Sequence, residues 1–186
     1  MNPWFKRAAP SEHSIAFHYA PTSAYLISHS LPMAYWLMKS EPEEFSIDDL
    51  VAAKNQTVAW FGVRNYQARN FMRDQMKIGD EVLFYHSSCP EPGIAGLAKI
   101  STSAYPDTTQ FDKKGKYFDA KATAETPRWS LVDVKLTKKT PLISLAELRE
   151  HAALEDMVIL QRGNRLSITP VTVSQWKYIA KLIDRR

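Results

Sequence analysis

Apolar runs and alternating polarity predict several short β-strands along this chain. Residues 34–39 form a compact apolar run that is typical of a buried first strand. Residues 81–87 and 94–100 predict two more strands, joined as a hairpin by a long loop that contains proline and glycine. Gly96, inside the second of these strands, indicates a bulge or a close approach by another group. Residues 129–136 alternate with period two, which is the clearest strand signal in the chain.

Helices are predicted where a capping residue precedes an apolar periodicity. Ser46 begins a short helix that runs to about residue 54, and Ser144 is followed by a capping-box pattern that begins another helix. Thr172 opens a final helix with a similar capping box. Its predicted apolar face comprises Val173, Trp176, Ile179, Ala180 and Ile183.

Two further segments complete the picture of the fold. Residues 166–168 predict a short strand, whereas residues 157–160 fit either a strand or the end of a helix. Strands and helices that do not alternate regularly predict an α+β fold. We expect a mixed or antiparallel sheet, curled into a small barrel, with helices packed outside it.

A central stretch, residues 60–73, combines aromatic residues with a helix start. Trp60 and Phe61 precede a glycine, and Asn65 fits the N-cap of the helix that follows. The predicted apolar face of that helix comprises Ala68, Phe71, Met72 and Met76. One face of this helix is therefore expected to be buried.

Three arginines accompany the same stretch. Arg64 lies at the helix entrance, where unpaired N–H groups and the helix dipole favour an anion, while Arg69 and Arg73 lie one turn apart. An aromatic surface beside a cationic helix start could hold a base together with its phosphate. The alternative is that Trp60 and Phe61 belong to the ordinary core and that the arginines are solvated surface groups.

Residues 1–32 differ in character from the rest of the chain. They contain histidine, serine and proline without a clear period, and no continuous apolar stretch of signal-peptide kind. We expect a disordered or weakly attached N-terminal extension. Met33 falls where strong patterning begins and is the hypothesised native start of a domain that comprises residues 33–186.

Composition and charge narrow the class of protein. The 186 residues suit one domain, and the 45% hydrophobic and 11% aromatic contents suffice for a packed core. A net charge of +4 permits a nucleic-acid partner without demanding one. A single cysteine, Cys89, excludes an internal disulfide and fits a reducing compartment. We expect a soluble monomer that is not secreted, cytoplasmic in a bacterium or nuclear in a eukaryote.

Motifs for metal, cofactor or covalent chemistry are not found in the sequence. There is no metal-ligand spacing, phosphate-binding glycine loop or nucleophile elbow, so no metal and no cofactor is predicted. Cys89 stands near His86, but a cysteine beside a loop proline with no orienting acid does not make a thiol nucleophile. No apolar run approaches the roughly 20 residues that cross a bilayer, so no membrane partner is predicted.

Several motifs closely resemble the EVE domain family in the expected order. They are YWLMKSEP at 35–42, GVRNYQARN at 62–70, FYHS at 84–87, PGIAG at 92–96, YPD at 105–107 and RLSI at 165–168. The resemblance covers residues 35–183 and includes nothing before Met33. It implies a PUA-like fold, related to the YTH and ASCH domains, in which a small curved mixed β-barrel is flanked by helices.

The resemblance also implies a pocket that reads a modified base in DNA or RNA, with modified cytosine the usual proposal for this family. In the related YTH readers one wall of the pocket is a tryptophan just before the second helix, a place that Trp60 occupies. Trp129 is the candidate for a facing wall. Other predicted base contacts are Ser40, Glu41, Asn65, Ser87 and Tyr85, and the predicted phosphate contacts are Lys39, Arg64 and Arg69.

Two alternatives to a non-catalytic reader remain open at this point. Some ASCH relatives hydrolyse acylated cytidine with a lysine, a hydroxyl and a carboxylate, types that Lys39, Ser40 and Glu41 supply. Neighbours on an extended segment alternate in direction, however, so these three are not expected to face one substrate together. The other alternative is a pocket for a free nucleobase or nucleoside, whose binding would hardly respond to salt.

Overall fold

The computed structural model describes residues 33–186, and the predicted N-terminal extension lies outside the described residues. The strands are β1 (Tyr35–Ser40), β2 (Thr57–Ala59), β3 (Glu81–His86), β4 (Gly93–Ile100), β5 (Tyr105–Pro106), β6 (Ser130–Leu131), β7 (Asp133–Ser144) and β8 (Ile168–Val171). Six of them form a mixed sheet in the order β2-β7-β4-β3-β1-β8, and β5 pairs with β6 in a second, two-stranded sheet. The predicted α+β class is confirmed.

The first strand is buried on both faces, as its continuous apolar run predicted. β1 runs parallel to β3 and antiparallel to β8. Trp36 and Met38 pack into the hydrophobic cluster on one side of the sheet, and Leu37 packs into the cluster on the other side. Since successive side chains of a strand point to opposite faces, the apolar run at the centre of β1 supplies both clusters.

Irregular pairing bends the centre of the sheet. The register shifts between Phe84 and Tyr85 on β3, and again at two places along β4. Each bulge increases the local twist. At Gly96 both expected causes are present, because a Cβ there would lie 2.7 Å from Ile47 Cδ1 and 2.9 Å from the carbonyl oxygen of Lys138. The glycine therefore lets a helix pack directly on β4.

The helices are α1 (Ile47–Ala52), α2 (Tyr66–Asn70), α3 (Leu145–Arg149) and α4 (Val173–Asp184), and a π-helical turn, Phe71–Gln75, continues α2. The predicted N-caps are confirmed: the side chains of Ser46, Asn65, Ser144 and Thr172 each accept a backbone N–H of the first turn. Ser46 and Thr172 form reciprocal capping boxes. At Ser144 the side chain of Glu147 instead accepts a hydrogen bond from Arg186.

Some predicted boundaries were wrong. The strand expected at residues 129–136 is divided between β6 and β7, because β6 pairs with β5 while β7 joins the large sheet and runs on to Ser144. Residues 157–160, left open between strand and helix, contain a 3₁₀ turn at Val158–Leu160.

The apolar face predicted for α4 was partly wrong. Val173 is 50% exposed, whereas Gln175 is buried. The capping box explains the buried glutamine, because its side chain accepts the N–H of Thr172 at 3.0 Å and is thereby held against the helix start. Ile179 and Ile183 are buried as predicted.

Within residues 33–186, no helix is both long and apolar enough to cross a membrane. The same part of the chain contains no group of three or more histidine, cysteine, aspartate or glutamate side chains placed to hold a metal ion.

Candidate functional site

A cavity of about 470 Å³ opens where the parallel strands β1 and β3 end. Five short segments contribute to its lining: residues 39–41 and 44–45 at and after the end of β1, 58–64 around the end of β2, 87–88 after β3, 116–117 in a long loop, and 165 and 167 before β8. The carboxyl ends of β1 and β3 are held together because the Ser87 N–H donates to the Ser40 carbonyl at 2.8 Å. The sheet thus fixes one side of the cavity, and loops form the other.

Trp60 belongs both to the core and to the cavity wall. It is 8% exposed and meets Phe84 edge to face, with ring centroids 5.5 Å apart. Its backbone N–H donates to the Val132 carbonyl at 2.9 Å, which fixes the segment beside β6 and β7. The two interpretations of this tryptophan are therefore not exclusive, since it packs on the core while it lines the cavity.

Phe61 and Tyr117 supply the other aromatic surfaces of the cavity. Phe61 is 52% exposed, and its ring meets that of Tyr117 edge to face at 6.0 Å. Tyr117 lies over Gly62, where φ is +83° and an added Cβ would come within 2.7 Å of the tyrosine ring. Sequence reasoning missed Tyr117, because it comes from a loop without periodicity. The glycine beside Phe61 was the available sign of a close approach.

Arg64 positions the loop that carries Tyr117. Its Nε donates to the Tyr117 carbonyl at 2.9 Å, and its two terminal nitrogens donate to Asp107 Oδ2 at 2.8 Å and Thr109 Oγ1 at 3.0 Å. Burial alone would raise the pKa of Asp107, but hydrogen bonds from Arg64, Thr109 and the Gly62 N–H hold it below its ordinary value. The guanidinium predicted to bind phosphate is thus committed to internal partners.

Polar groups in the lining of the cavity come from the ends of β1 and β3 and from the residues that follow these strands. The Ser40 hydroxyl donates to the Phe45 carbonyl at 2.6 Å, and the Ser88 hydroxyl donates to Glu41 Oε1 at 3.1 Å. Lys39, Ser40 and Glu41 all line the cavity, contrary to the expectation from strand alternation. Lys39 and Ser40 are the last two residues of β1, and Glu41 follows its end, so the alternation does not govern Glu41.

Besides Arg64, three cations border the cavity. Lys39 is half-buried, and desolvation lowers its pKa. Arg165 is exposed and was not predicted as a contact. Lys116 pairs with Glu44, whose second carboxylate oxygen accepts the Tyr117 hydroxyl at 3.3 Å, so Glu44 bridges the two loops across the opening. Within residues 33–186 no acidic side chain forms an ion pair with Lys39 or Arg165.

Two aromatic residues predicted to contact the base lie elsewhere. Trp129 does not line the cavity; its Nε1 donates to Asp119 Oδ2 at 2.7 Å, and its ring stacks on Tyr66 at 4.9 Å. Tyr85 is 2% exposed and packs into the cluster on the opposite face of the sheet from Trp60. Burial raises the pKa of Tyr85 to about 12. Neither ring is placed to face Trp60 across the cavity.

The N-cap of α2 and one arginine of this helix, both predicted contacts, are also outside the cavity. Asn65 Oδ1 accepts the Ala68 N–H at 3.1 Å, so the side chain serves as the helix cap. Arg69 donates to the Arg128 carbonyl at 2.8 Å and lies over the Tyr66 ring, 4.9 Å from its centroid. The predicted residues that the structure does bring together are Trp60, Lys39, Ser40, Glu41, Arg64 and Ser87.

The bulged mixed sheet, its flanking helices and the cavity at the ends of β1 and β3 define an α+β domain of the PUA-like fold. The family model of the EVE domain matches the sequence over residues 34–182. This chain belongs to the EVE domain family.

Relatives with solved structures resemble the chain over most of its length. A protein from Pseudomonas syringae with a crystal structure is 52% identical in sequence to this chain. The match covers 80% of this chain and 99% of the Pseudomonas chain, with a TM-score of 0.76. Human thymocyte nuclear protein 1 is 45% identical over 170 residues, which are 82% of this chain and 75% of the human protein.

A human relative has been solved together with DNA. The crystal structure of human THYN1 in complex with 5-methylcytosine-containing DNA is 45% identical to this chain, covers 82% of it and 99% of its own length, and has a TM-score of 0.78.

Proposed function

We propose that this protein binds DNA and holds a modified cytosine, extruded from its base stack, in the cavity beside Trp60. The observation that carries the proposal is a cavity lined by aromatic rings, polar groups and cations. The complex of the human relative with 5-methylcytosine-containing DNA supports the choice of base and of polymer.

The aromatic walls suit an extruded base. A base that leaves the helix loses its stacking partners, and stacking on a protein aromatic ring returns about 1–3 kcal/mol per base. Trp60 is held by the core, whereas Phe61 and Tyr117 face the opening of the cavity. We infer that these rings, rather than Trp129, are the stacking surfaces.

The border cations suit the phosphates of the strand. Lys39 and Arg165 have no acidic partner within the described part of the chain, so both are available to an anion. A partly desolvated ammonium such as that of Lys39 gains more from an anion than a fully hydrated one does. Arg64, by contrast, acts in this proposal through the loop that it positions.

The test compares oligonucleotides that carry 5-methylcytosine or plain cytosine at one position. Wild-type protein is expected to prefer the modified oligonucleotide, and Tyr117→Ala to weaken its binding about tenfold through lost stacking. Tyr117 is preferable to Trp60 for truncation, because emptying a core position costs about 3–5 kcal/mol of stability. Fluorescence anisotropy titrations measure the affinities of the wild type and of the variant for the two oligonucleotides.

Phe118→Ala is the matched control for Tyr117→Ala. Phe118 is the next residue of the same loop and is 38% exposed, but it does not line the cavity. Its affinity for the modified oligonucleotide is expected to equal that of the wild type. Equal binding of modified and plain cytosine by the wild type would contradict the proposal.

We infer binding rather than catalysis at this site. The Ser40 hydroxyl donates its proton to the Phe45 carbonyl at 2.6 Å, and a carbonyl does not act as a base for a nucleophile. Incubation of the protein with acylated cytidine is therefore expected to give no product. Release of the acyl group at a rate that depends on Lys39 would support the hydrolase instead.

A further inference from the structure

Glu41 has a carboxylate with unused capacity to accept hydrogen bonds. Its Oε1 accepts the hydroxyl of Ser88, and within residues 33–186 no basic side chain pairs with it. An ionised carboxylate offers about four acceptor positions. Glu44, the other acid lining the cavity, already accepts hydrogen bonds from Lys116 and Tyr117.

The residue that holds Glu41 has an uncommon backbone conformation. Ser88 has a φ of 54°, in the left-handed region that residues other than glycine rarely adopt. Strained conformations of this kind concentrate at ligand-binding sites. The preceding residue, Ser87, is tied to the end of β1 through its backbone bond to Ser40. The hydrogen bond from Ser88 thus orients the exposed carboxylate of Glu41 in the lining of the cavity.

We propose that the Glu41 carboxylate accepts a hydrogen bond from the 4-amino group of the cytosine, so that the cavity rejects thymine. This inference rests on the proposed function. 5-Methylcytosine and thymine share the 5-methyl group and present similar ring faces, so stacking on Tyr117 does not distinguish them. They differ at position 4, where cytosine carries an amine donor and thymine a carbonyl acceptor.

The chemistry of the carboxylate makes this contact selective. Ionised glutamate accepts hydrogen bonds and donates none, so Glu41 pairs with the amine and repels the thymine O4. An acceptor that faces another acceptor leaves both without a partner once water is displaced. The proposed discrimination is thus between 5-methylcytosine and the base that its deamination produces.

The test uses the full chain and one DNA duplex sequence with 5-methylcytosine, cytosine or thymine opposite an abasic site. The abasic partner removes base pairing, so extrusion costs the three bases the same pairing energy. Wild-type protein is expected to bind 5-methylcytosine about tenfold more tightly than thymine, the lower end for a hydrogen bond to a charged group. In Glu41→Gln this ratio is expected to fall to near unity, because an amide presents either a donor or an acceptor.

Glu43→Gln is the matched control. Glu43 is an exposed residue of the same loop, does not line the cavity and carries the same charge, so this variant reproduces the loss of one negative charge near DNA. Its preference for 5-methylcytosine over thymine is expected to equal that of the wild type. A wild type that binds both bases equally, or a Glu41→Gln variant that keeps the wild-type ratio, overturns the inference.

The outcomes separate the inference from the proposed function. Two results support the reader function: preference of the wild type for 5-methylcytosine over cytosine, and weaker binding of the modified oligonucleotide by Tyr117→Ala. They do so whatever the ratio of affinities for 5-methylcytosine and thymine is. If both Glu41→Gln and Glu43→Gln lost the discrimination against thymine, the discrimination would come from the negative charge of the loop. That result would overturn the role of Glu41 but not the reader function. Absence of binding to all three oligonucleotides overturns both.

Discussion

At the scale of single residues, Gly62 is the most constrained position of the cavity. It combines a φ of +83° with a tyrosine ring so close that a Cβ would lie 2.7 Å from it. Its N–H also donates to Asp107 Oδ2 at 2.9 Å. The position of Tyr117 therefore depends on the absence of a side chain at residue 62 as much as on the contacts made by Arg64.

Gly62→Ala is expected to destabilise the protein by more than its backbone strain alone and to weaken binding of the modified oligonucleotide. An L-residue in the left-handed region costs roughly 1–2 kcal/mol. Gly163→Ala is the control, because Gly163 has a φ of +81° and nothing within 4 Å of its Cβ position. Urea unfolding and anisotropy titration measure both variants. If the two alanine variants behaved alike in both assays, Tyr117 would not depend on Gly62 for its place.

At the scale of secondary-structure elements, one histidine joins β3 to α1. His86 Nε2 accepts the backbone N–H of Ile47, the first residue of α1, at 3.0 Å. Burial lowers the pKa of His86 and Lys139 adds to this, while Asp48 and Glu43 oppose it. Protonation of this nitrogen would remove the acceptor that the helix start uses.

We expect the protein to become less stable at pH values below the ordinary histidine pKa. Because the folded state binds this proton more weakly than the unfolded chain, the contribution of His86 is complete above pH 6.5 and is lost as the pH falls through the lowered folded pKa. His86→Gln keeps an acceptor that does not titrate, so its free energy of unfolding should depend less on pH between 7 and the onset of acid unfolding. Denaturant titrations across this range measure the difference, and parallel pH profiles would contradict the prediction.

Elements that depend on interactions between neighbouring residues could be predicted from the sequence. Elements that depend on pairing with distant residues could not. The caps at Ser46, Asn65 and Thr172 are set by neighbours within one turn, and the apolar run of β1 reflects its burial on both faces. The division of residues 129–136 into two strands depends on pairing with β5, which lies more than twenty residues earlier. Periodicity contains no information about such partners.

At the scale of the whole molecule, the cavity is assembled from segments far apart in the chain. Tyr117 meets Glu44 across 73 residues, and Arg64 meets the Tyr117 carbonyl across 53. The resemblance to a family pointed to Trp60 and to the turn after β1, since both lie within continuous motifs. Tyr117 lies outside these motifs and was missed. Arg64 and Arg165 lie within them, but only the fold shows that Arg64 holds internal partners and that Arg165 borders the cavity.

The charge at the cavity border predicts how binding depends on salt. Each phosphate that a cation neutralises contributes about 0.9 to the slope of log affinity against log salt concentration on duplex DNA. Arg165→Gln is therefore expected to lower the magnitude of the slope by about one. Arg162→Gln, an exposed residue of the same loop that does not line the cavity, is expected to leave it unchanged. Affinity that hardly responds to salt would instead favour a free nucleoside as the ligand.

If the proposed DNA strand also reaches Lys116, the bridge from Glu44 to Lys116 and Tyr117 makes Glu44 a competitor of the phosphate for this lysine. Both partners of the ion pair are largely hydrated, with side-chain exposures of 67% for Lys116 and 48% for Glu44, and exposed pairs of this kind separate easily. An incoming strand that recruits Lys116 must first take it from Glu44. The lysine would then exchange one anion for another, so under the proposed function it is expected to add less to affinity than Arg165 does.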